Sequence, residues 1–308
     1  MKRFVFAYHL QLIIYHSLFM IPFFIKLLAR LPFWFLYRIS DVLFVVVYYG
    51  KLYRKQVVLD NLYRAFPEKT QKEREQIARA FYRNFCDFII EILKSFHISK
   101  AEIVRRTRPT PESLEIAKTV AKDKQSIIVL ATHHLSWEWV SLSCSVELET
   151  IVKPIYKKLA NKKMEELIYK MRSQFGAVPL EMRVSNREIV KPTDVSVGYV
   201  LVGDQTPAGN NRQYWTNFFG KEVPFFVGVA RLAPQSNLPI YFLRITKPKR
   251  GHYLYSLELM RTPPYNPDES GTDFSILDEY SKRIEEAVRN SPENWLWTHK
   301  RWKRAKKD

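Results

Sequence analysis

An α/β fold, a mixed central sheet flanked by helices with membrane-associated helices at the N-terminus, is predicted by three features of the sequence. From about residue 111 short β-branched runs alternate with amphipathic segments, which is the pattern of strands and helices in one layered sheet. Ahead of that lies a stretch of purely helical periodicity, and ahead of that an apolar N-terminus. No Gly/Ser linker and no fixed-period repeat interrupts the 308 residues. The expected organisation is therefore an N-terminal anchor helix over residues 1–27 and one domain over 28–308. That domain divides into a membrane-proximal helical part, 28–100, and an α/β catalytic part, 111–308.

The N-terminal elements come first. Phe4 to Phe24 carries no formal charge over twenty-one residues, long enough to cross a bilayer as a helix, although His9, Gln11, His16 and Pro22 interrupt it and leave an amphipathic or core helix as the alternative. No small-residue cleavage site follows, which argues against a removed signal peptide. Lys26, Arg30, Arg38, Lys51, Arg54 and Lys55 lie downstream against only Lys2 and Arg3 upstream, so the bulk of the chain is expected on the cytoplasmic side of the membrane. The second apolar stretch, LPFWFLYRISDVLFVVVYYG, contains Arg38 and Asp41 and reads as a helix lying on the membrane surface, with Trp34 and Tyr37 at the interface. Thr70 and Glu73 then form a capping box for a helix with Ile77, Phe81, Phe85, Phe88, Ile89, Ile92, Leu93 and Phe96 on its apolar face.

In the α/β part, PESLEIAKTVAKD is a helix, SIIVLA a buried strand, TIVKPIY a strand and NKKMEELIYKMRSQFG a helix. Residues 195–203, VSVGYVLVG, form a further strand, LPIYFLRI and YLYSLEL two more, and ILDEYSKRIEEAVRN a late amphipathic helix. Sites in open α/β sheets form beyond the carboxyl ends of strands. Two polar motifs sit there: HHLSWE at 133–138 and DQTP at 204–207.

Composition narrows the chemistry. Forty-nine Lys and Arg against thirty-one Asp and Glu give a formal charge of +18, which calls for an acidic partner. Nucleic acid fits the charge, but no helix-turn-helix, RRM or zinc pattern is present, and an apolar N-terminus has no place in such a protein. Cys86 and Cys144 fall in apolar helical patterns and are expected as reduced, buried thiols. Neither H-E-x-x-H nor C-x-x-C occurs, so neither metal nor other cofactor is implied. On a continuous helix His134 and Glu138 share a face, whereas His133 and Glu138 diverge by about 140°. If the segment begins as a strand-to-helix turn, His133 can instead fold over the first helical turns and meet Glu138. In either register a carboxylate on one imidazole nitrogen leaves the other free to accept a proton.

The segment H-x-x-x-x-E, His133 to Glu138, resembles the HX4(D/E) signature of the lysophospholipid acyltransferase superfamily, and in particular the late acyltransferases of lipid A assembly. NLYRAFPE at 61–68 is similar to the family's NL..AFPE segment, and YKKLAN at 156–161 with KMRSQFG to its Y-R-P-x-x-N block and R-S-x-F-G helix end. GDQTP resembles its DQ segment, and NWLWTHKRWK at 294–303 its terminal W-x-W-x-H-(R/K)-R-(W/F)-K. Five such segments in the same order span most of the chain.

The resemblance implies a glycerophosphate-acyltransferase-like fold. It implies His133 as general base, Glu138 as its orienting carboxylate, and Arg172 and Asp204 as further catalytic residues. Lys157, Asn161, Gln205, His299, Arg301 and Lys303 are implied to touch substrate. Thr132 and His134 stand where many relatives have Gly and Phe, and Lys157 where Arg is usual, exchanging a guanidinium fork for a point charge.

The expected reaction moves a fatty acyl chain from the thioester of an acyl carrier protein or coenzyme A to a hydroxyl of an anionic glycolipid, a lipid A precursor. A lyso-phospholipid or lyso-aminolipid acceptor, or a catalytically inactive membrane scaffold, are the alternatives. The basic C-terminus, HKRWKRAKK with Trp302 inside it, reads as a strip for lipid phosphates or an acidic carrier, which Lys191, Lys247, Lys249 and Arg250 extend.

Overall fold

The computed structural model of the chain describes residues 24–50, 52–207 and 212–304. The anchor predicted over the first 27 residues lies almost wholly outside the described part. Among the described residues no helix is long and apolar enough to cross a membrane.

The second apolar stretch forms helix α1 (Phe33–Tyr49), entered from Pro32 and closed where the Gly50 N–H meets the Val46 carbonyl at 3.0 Å. Leu36, Ser40, Phe44 and Tyr48, one residue per turn, face inward. The opposite face leaves Trp34, Phe35, Val42, Val45, Val46 and Tyr49 exposed. The outer side of α1 is thus an exposed apolar face.

Helices α2 (Lys55–Ala65) and α3 (Gln71–Ser95) follow. The capping box at the start of α3 is formed: the Glu73 N–H donates to the Thr70 hydroxyl at 3.3 Å, and the Glu73 carboxylate accepts from the Thr70 N–H at 2.7 Å. The buried face of α3 runs through Ala78, Phe81, Tyr82, Cys86 and Ile90, while Ile89 is 39% exposed. The predicted stripe is thus rotated, because α1 covers one flank of α3 and the catalytic layer the other.

After α4 (Lys100–Arg106) the chain lays down β1 (Thr107–Pro109), α5 (Pro111–Lys122), β2 (Ile127–Ala131), α6 (Trp137–Glu147), β3 (Ile151–Tyr156), α7 (Lys162–Ser173), β4 (Leu180–Glu181), α8 (Met182–Ile189) and β5 (Val197–Val202). A hairpin, β6 (Gln213–Phe218) and β7 (Lys221–Phe226), precedes α9 (Gly228–Ser236), β8 (Ile240–Lys249), β9 (His252–Arg261) and α10 (Ser275–Asn290). The hairpin was not read from the sequence. Its turn is Phe219-Gly220, both at positive φ (52° and 73°), which suits an Asn-Gly pair and is not signalled by Phe.

The seven-stranded sheet has the order β1-β9-β8-β2-β5-β3-β4. Only β8 and β9 pair antiparallel within it, so the sheet is mixed, as predicted. Strands β8, β2 and β5 are adjacent and parallel, with Leu130 opposite both Phe242 and Leu201. Their carboxyl ends therefore open onto one edge. β2 is buried along its whole length, as befits a parallel strand covered on both faces. Cys86 and Cys144 are buried and unpaired, and burial pushes each thiol up to about 12.

One buried carboxyl ties α1, α3 and the sheet together. Glu91 of α3 is fully buried and accepts from the Tyr253 hydroxyl of β9 at 3.0 and 2.8 Å and from the Tyr37 hydroxyl of α1 at 3.1 Å. Burial pushes its pKa up to about 7, with the Asp87 charge adding, against the Lys247 charge and the two phenols. Between about 4.5 and 7 the unfolded chain releases a proton that the folded protein keeps, so wild type loses stability as pH rises through that window, on the order of 3 kcal/mol. Glu91→Gln removes this dependence. In urea unfolding, the variant should gain on wild type by that order between pH 4.5 and 8, and a constant difference across the range would refute the protonated buried carboxyl.

Candidate active site

The register of two strands builds the centre. Ala131, the last residue of β2, lies opposite Val202, the last of β5, and each chain runs two residues further before its functional side chain. His133 and Asp204 thus meet beyond the carboxyl ends of neighbouring parallel strands. The His133 N–H donates to Asp204 Oδ2 at 2.9 Å, and the imidazole Nδ1 lies 2.5 Å from Oδ1. The carboxylate, 1% exposed, takes a third bond from the Trp295 indole N–H at 2.7 Å.

An ionised carboxylate only accepts, so Nδ1 carries the proton and Nε2 the lone pair. Nε2 accepts from the Gln205 amide at 3.4 Å, a long bond, and the side chain as a whole is 21% exposed. Burial alone would lower the His133 pKa. The charge and hydrogen bond of Asp204, with the Glu138 charge behind them, outweigh it and set the imidazole above its ordinary value. Asp204 is the converse: burial opposes its ionisation, but the His133 charge and three hydrogen-bond donors, the imidazole among them, hold it well below the usual carboxylate range.

Glu138 has a different partner from the one the resemblance implied. Helix α6 begins only at Trp137, so the carboxylate leaves its first turn towards α7 and not back over the turn. There Arg172 grips it as a fork, Nε to Oε2 at 3.0 Å and Nη2 to Oε1 at 2.5 Å, and the Trp137 indole adds a bond at 3.3 Å. Glu138 still bears on His133 through its charge, and the Trp137 ring stands edge-on to the imidazole at 5.1 Å. Arg172 is a quarter exposed, and its Nη1 has no hydrogen bond among the described residues.

The rival histidine is part of the core. His134 is 2% exposed, its Nδ1 lies 2.6 Å from the Thr132 hydroxyl, and its backbone bridges to Trp295. Burial drives its pKa to about 4. A helical pairing with Glu138 does not form, because the helix starts three residues after His134.

The C-terminal segment corrects one expectation outright. Arg301 is not on a basic surface strip but fully buried, its guanidinium 4.3 Å from the Phe225 ring centroid and 5.2 Å from that of Phe218. Burial lowers its pKa to about 10. The Trp side chains at 295, 297 and 302 are buried with it, and a chain with three tryptophans in eight residues folds inward even when basic residues lie between them. His299 likewise faces the protein: its Nε2 accepts from the Thr206 N–H at 3.0 Å, and burial lowers its pKa to about 4. Lys300 and Lys303 remain exposed.

Of the other implied substrate contacts, Lys157 is exposed in the loop after β3. Asn161 caps α7, accepting from the Met164 N–H at 3.1 Å. The sequence reading assigned no role to Trp295, Thr206, Tyr280 or Asn61, which secure the Asp204 loop. Thr206 donates to the Arg301 carbonyl at 2.7 Å; Tyr280 donates to the Ala131 carbonyl at 2.5 Å and accepts from the Gly203 N–H at 3.1 Å. Asn61 donates at 2.7 Å to the carbonyls of both Trp297 and His299. The only signal for Asn61 and Trp295 was their place inside the quoted NLYRAFPE and NWLWTHKRWK segments.

Among the described residues no group of three or more His, Cys, Asp or Glu side chains is arranged to hold a metal ion. What the centre offers is a proton acceptor backed by a buried carboxylate, beside a half-satisfied arginine.

The two histidines should titrate distinctly. By NMR of the imidazole carbons, His133 should titrate above the ordinary histidine value and His134 stay neutral down to about 4. Asp204→Asn should lower the first, which loses both a charge and a hydrogen bond, while the second, which loses only the charge, stays neutral. A His133 value unchanged by that substitution would dissolve the pair.

Compared with known families, the chain matches the model for bacterial lipid A biosynthesis acyltransferases over residues 4–304. No curated protein gives a significant match. With that match running over nearly the whole chain, this protein belongs to the bacterial lipid A biosynthesis acyltransferase family and is an acyltransferase.

Proposed function

We propose that the protein is a membrane-associated O-acyltransferase that moves a fatty acyl chain from a carrier thioester to a hydroxyl of a lipid A precursor, with His133 as general base. The observation that carries this is the His133–Asp204 pair, in which Nδ1 is committed to a buried carboxylate, Nε2 keeps the lone pair, and the side chain is 21% exposed. A thioester has an easy leaving group, since a thiol ionises near pH 8.5, whereas the accepting alcohol hardly ionises at all. A base is therefore the main requirement.

In this reading the acceptor hydroxyl gives its proton to His133 Nε2 as its oxygen bonds to the thioester carbonyl carbon. The imidazolium that forms is stabilised by Asp204, and the oxyanion accepts from Arg172. Collapse breaks the carbon–sulfur bond, and the thiolate takes the proton back from the imidazolium. Asp204 is the orienting group; Glu138 holds Arg172 in place. The donor is acyl carrier protein or coenzyme A, and the exposed Lys300 and Lys303 suit its acidic surface. The outer face of α1 supports membrane association, and the basic excess after the apolar N-terminus supports the cytoplasmic side of the inner membrane.

Acyl transfer by purified variants tests the reading. His133→Ala should lose about 10²–10⁴-fold in kcat with its fold intact by circular dichroism. Asp204→Asn should fall by up to about 10⁴-fold, as where a buried aspartate sets a catalytic tautomer. Because the neutral imidazole is the active form and Asp204 raises its pKa, the residual activity of that variant should have its acidic limb at lower pH than wild type. His134→Phe should remain within about tenfold, since that ring only fills the core. Near-normal turnover in both His133→Ala and Asp204→Asn would end the general-base mechanism.

A further inference from the structure

A second concave site lies on the same edge of the sheet. Strand β8 neighbours β2 and runs parallel to it, and it continues past the end of β2 to Lys247 and Lys249. There an open pocket of about 580 Å³ is framed by Arg79 and Arg83 of α3 and by Lys247, Lys249 and Arg250. Five cations meet two carboxylates in its lining, Asp87 and Glu293.

Two of the cations are fixed from behind. Buried Asp87 holds Arg250 through bonds of 2.6 to 3.0 Å, with Asp41 of α1 adding one at 2.7 Å. Lys247 donates to the Asn84 side chain at 2.8 Å and lies 3.7 Å from Asp87. Arg79 and Arg83 are exposed at the mouth and make no ion pair among the described residues; Arg83 rests on the Phe44 ring, 5.1 Å from its centroid.

Two neighbours say what enters. On one side Arg79, Arg83 and Arg250 also line a neighbouring pocket whose other wall is Asp41, Phe44, Val45 and Tyr49 of α1, next to the exposed apolar face already described. On the other its wall is Asn294, which bonds to Asn84 at 2.8 Å and whose carbonyl accepts from the Leu135 N–H at 2.9 Å, one residue before the Trp295 that holds Asp204. A basic pocket between a membrane-facing helix and the catalytic loop suits an anionic group that is itself carried by the membrane.

We propose that this pocket binds a phosphate on the headgroup of the acceptor lipid and so positions that lipid's hydroxyl at His133. The assignment of the lipid as acceptor rests on the acyl-transfer reading above; the binding of a lipid phosphate does not.

The test uses the full chain carrying Arg79→Gln and Arg83→Gln together, with Lys118→Gln and Lys122→Gln on α5 as a control of equal charge. Co-sedimentation with phosphatidylcholine vesicles containing phosphatidic acid should weaken about tenfold to thirtyfold for the pocket variant, since each lost cation near a lipid surface removes several-fold in affinity. The control should bind as wild type does, and affinity for pure phosphatidylcholine should be unchanged. In turnover the pocket variant should raise KM for the lipid acceptor by a similar factor, with kcat and the KM for the acyl thioester unaltered.

Equal weakening in the control would reduce the effect to diffuse charge and overturn the site. A rise in donor KM in place of acceptor KM would assign the pocket to the donor's phosphate, and a vesicle defect with unchanged acceptor KM would sever it from catalysis; both overturn the proposal. Vesicle binding needs no turnover, so it is read equally well in a His133→Ala background if the general-base mechanism itself fails.

Discussion

The buried carboxylate of Asp204 is the interaction on which the rest of the site depends. An ion with 1% exposure persists only where its lone pairs are filled, and here a backbone N–H, an imidazole and an indole fill them. Each donor imposes a condition on a different part of the chain. The first two require β2 and β5 to be parallel neighbours in the observed register. The third requires the C-terminal segment to return across the sheet edge, where Leu296 N–H meets the His133 carbonyl at 3.1 Å and Leu135 N–H the Asn294 carbonyl at 2.9 Å.

That return is held by packing more than by polar contacts. The rings of Trp295, Trp297, Trp302, Phe218 and Phe219 form edge and stacked pairs 4.8 to 6.3 Å apart, and the hairpin β6–β7 supplies two of them. Such rings each bury a large apolar area and lock one another's orientation. Arg301 is enclosed in this cluster, its positive charge against aromatic faces and within reach of the Asp204 charge. The basic tail suggested by composition is thus divided between an inward guanidinium and outward ammonium groups.

The net charge of +18 likewise resolves into separate structural uses. Arg172 neutralises Glu138, and Arg250 neutralises Asp87 at the joint between α1 and α3. Others collect at the mouth of a pocket beside the apolar outer face of α1. The joint also carries Glu91, so α1 and the catalytic layer share buried polar contacts.

The sequence by itself determined the mixed α/β class, the capping box at Thr70, the strands ending at HHLSWE and DQTP, and the family. These are local or periodic signals, and a strand end followed by His or Asp is visible without knowing its neighbours. Only the tertiary structure decided which carboxylate meets His133. Spacing within one segment left two registers open and the resemblance paired His133 with Glu138, five residues away; the pairing with Asp204, seventy-one away, was hidden because sequence reports separation along the chain and not the order of strands in a sheet. The same limit hid the partners of Glu138 and the inward turn of Arg301. Charge sets a residue's preference for water, but enclosure against the rings of a distant hairpin is a property of the folded whole, and there it prevailed.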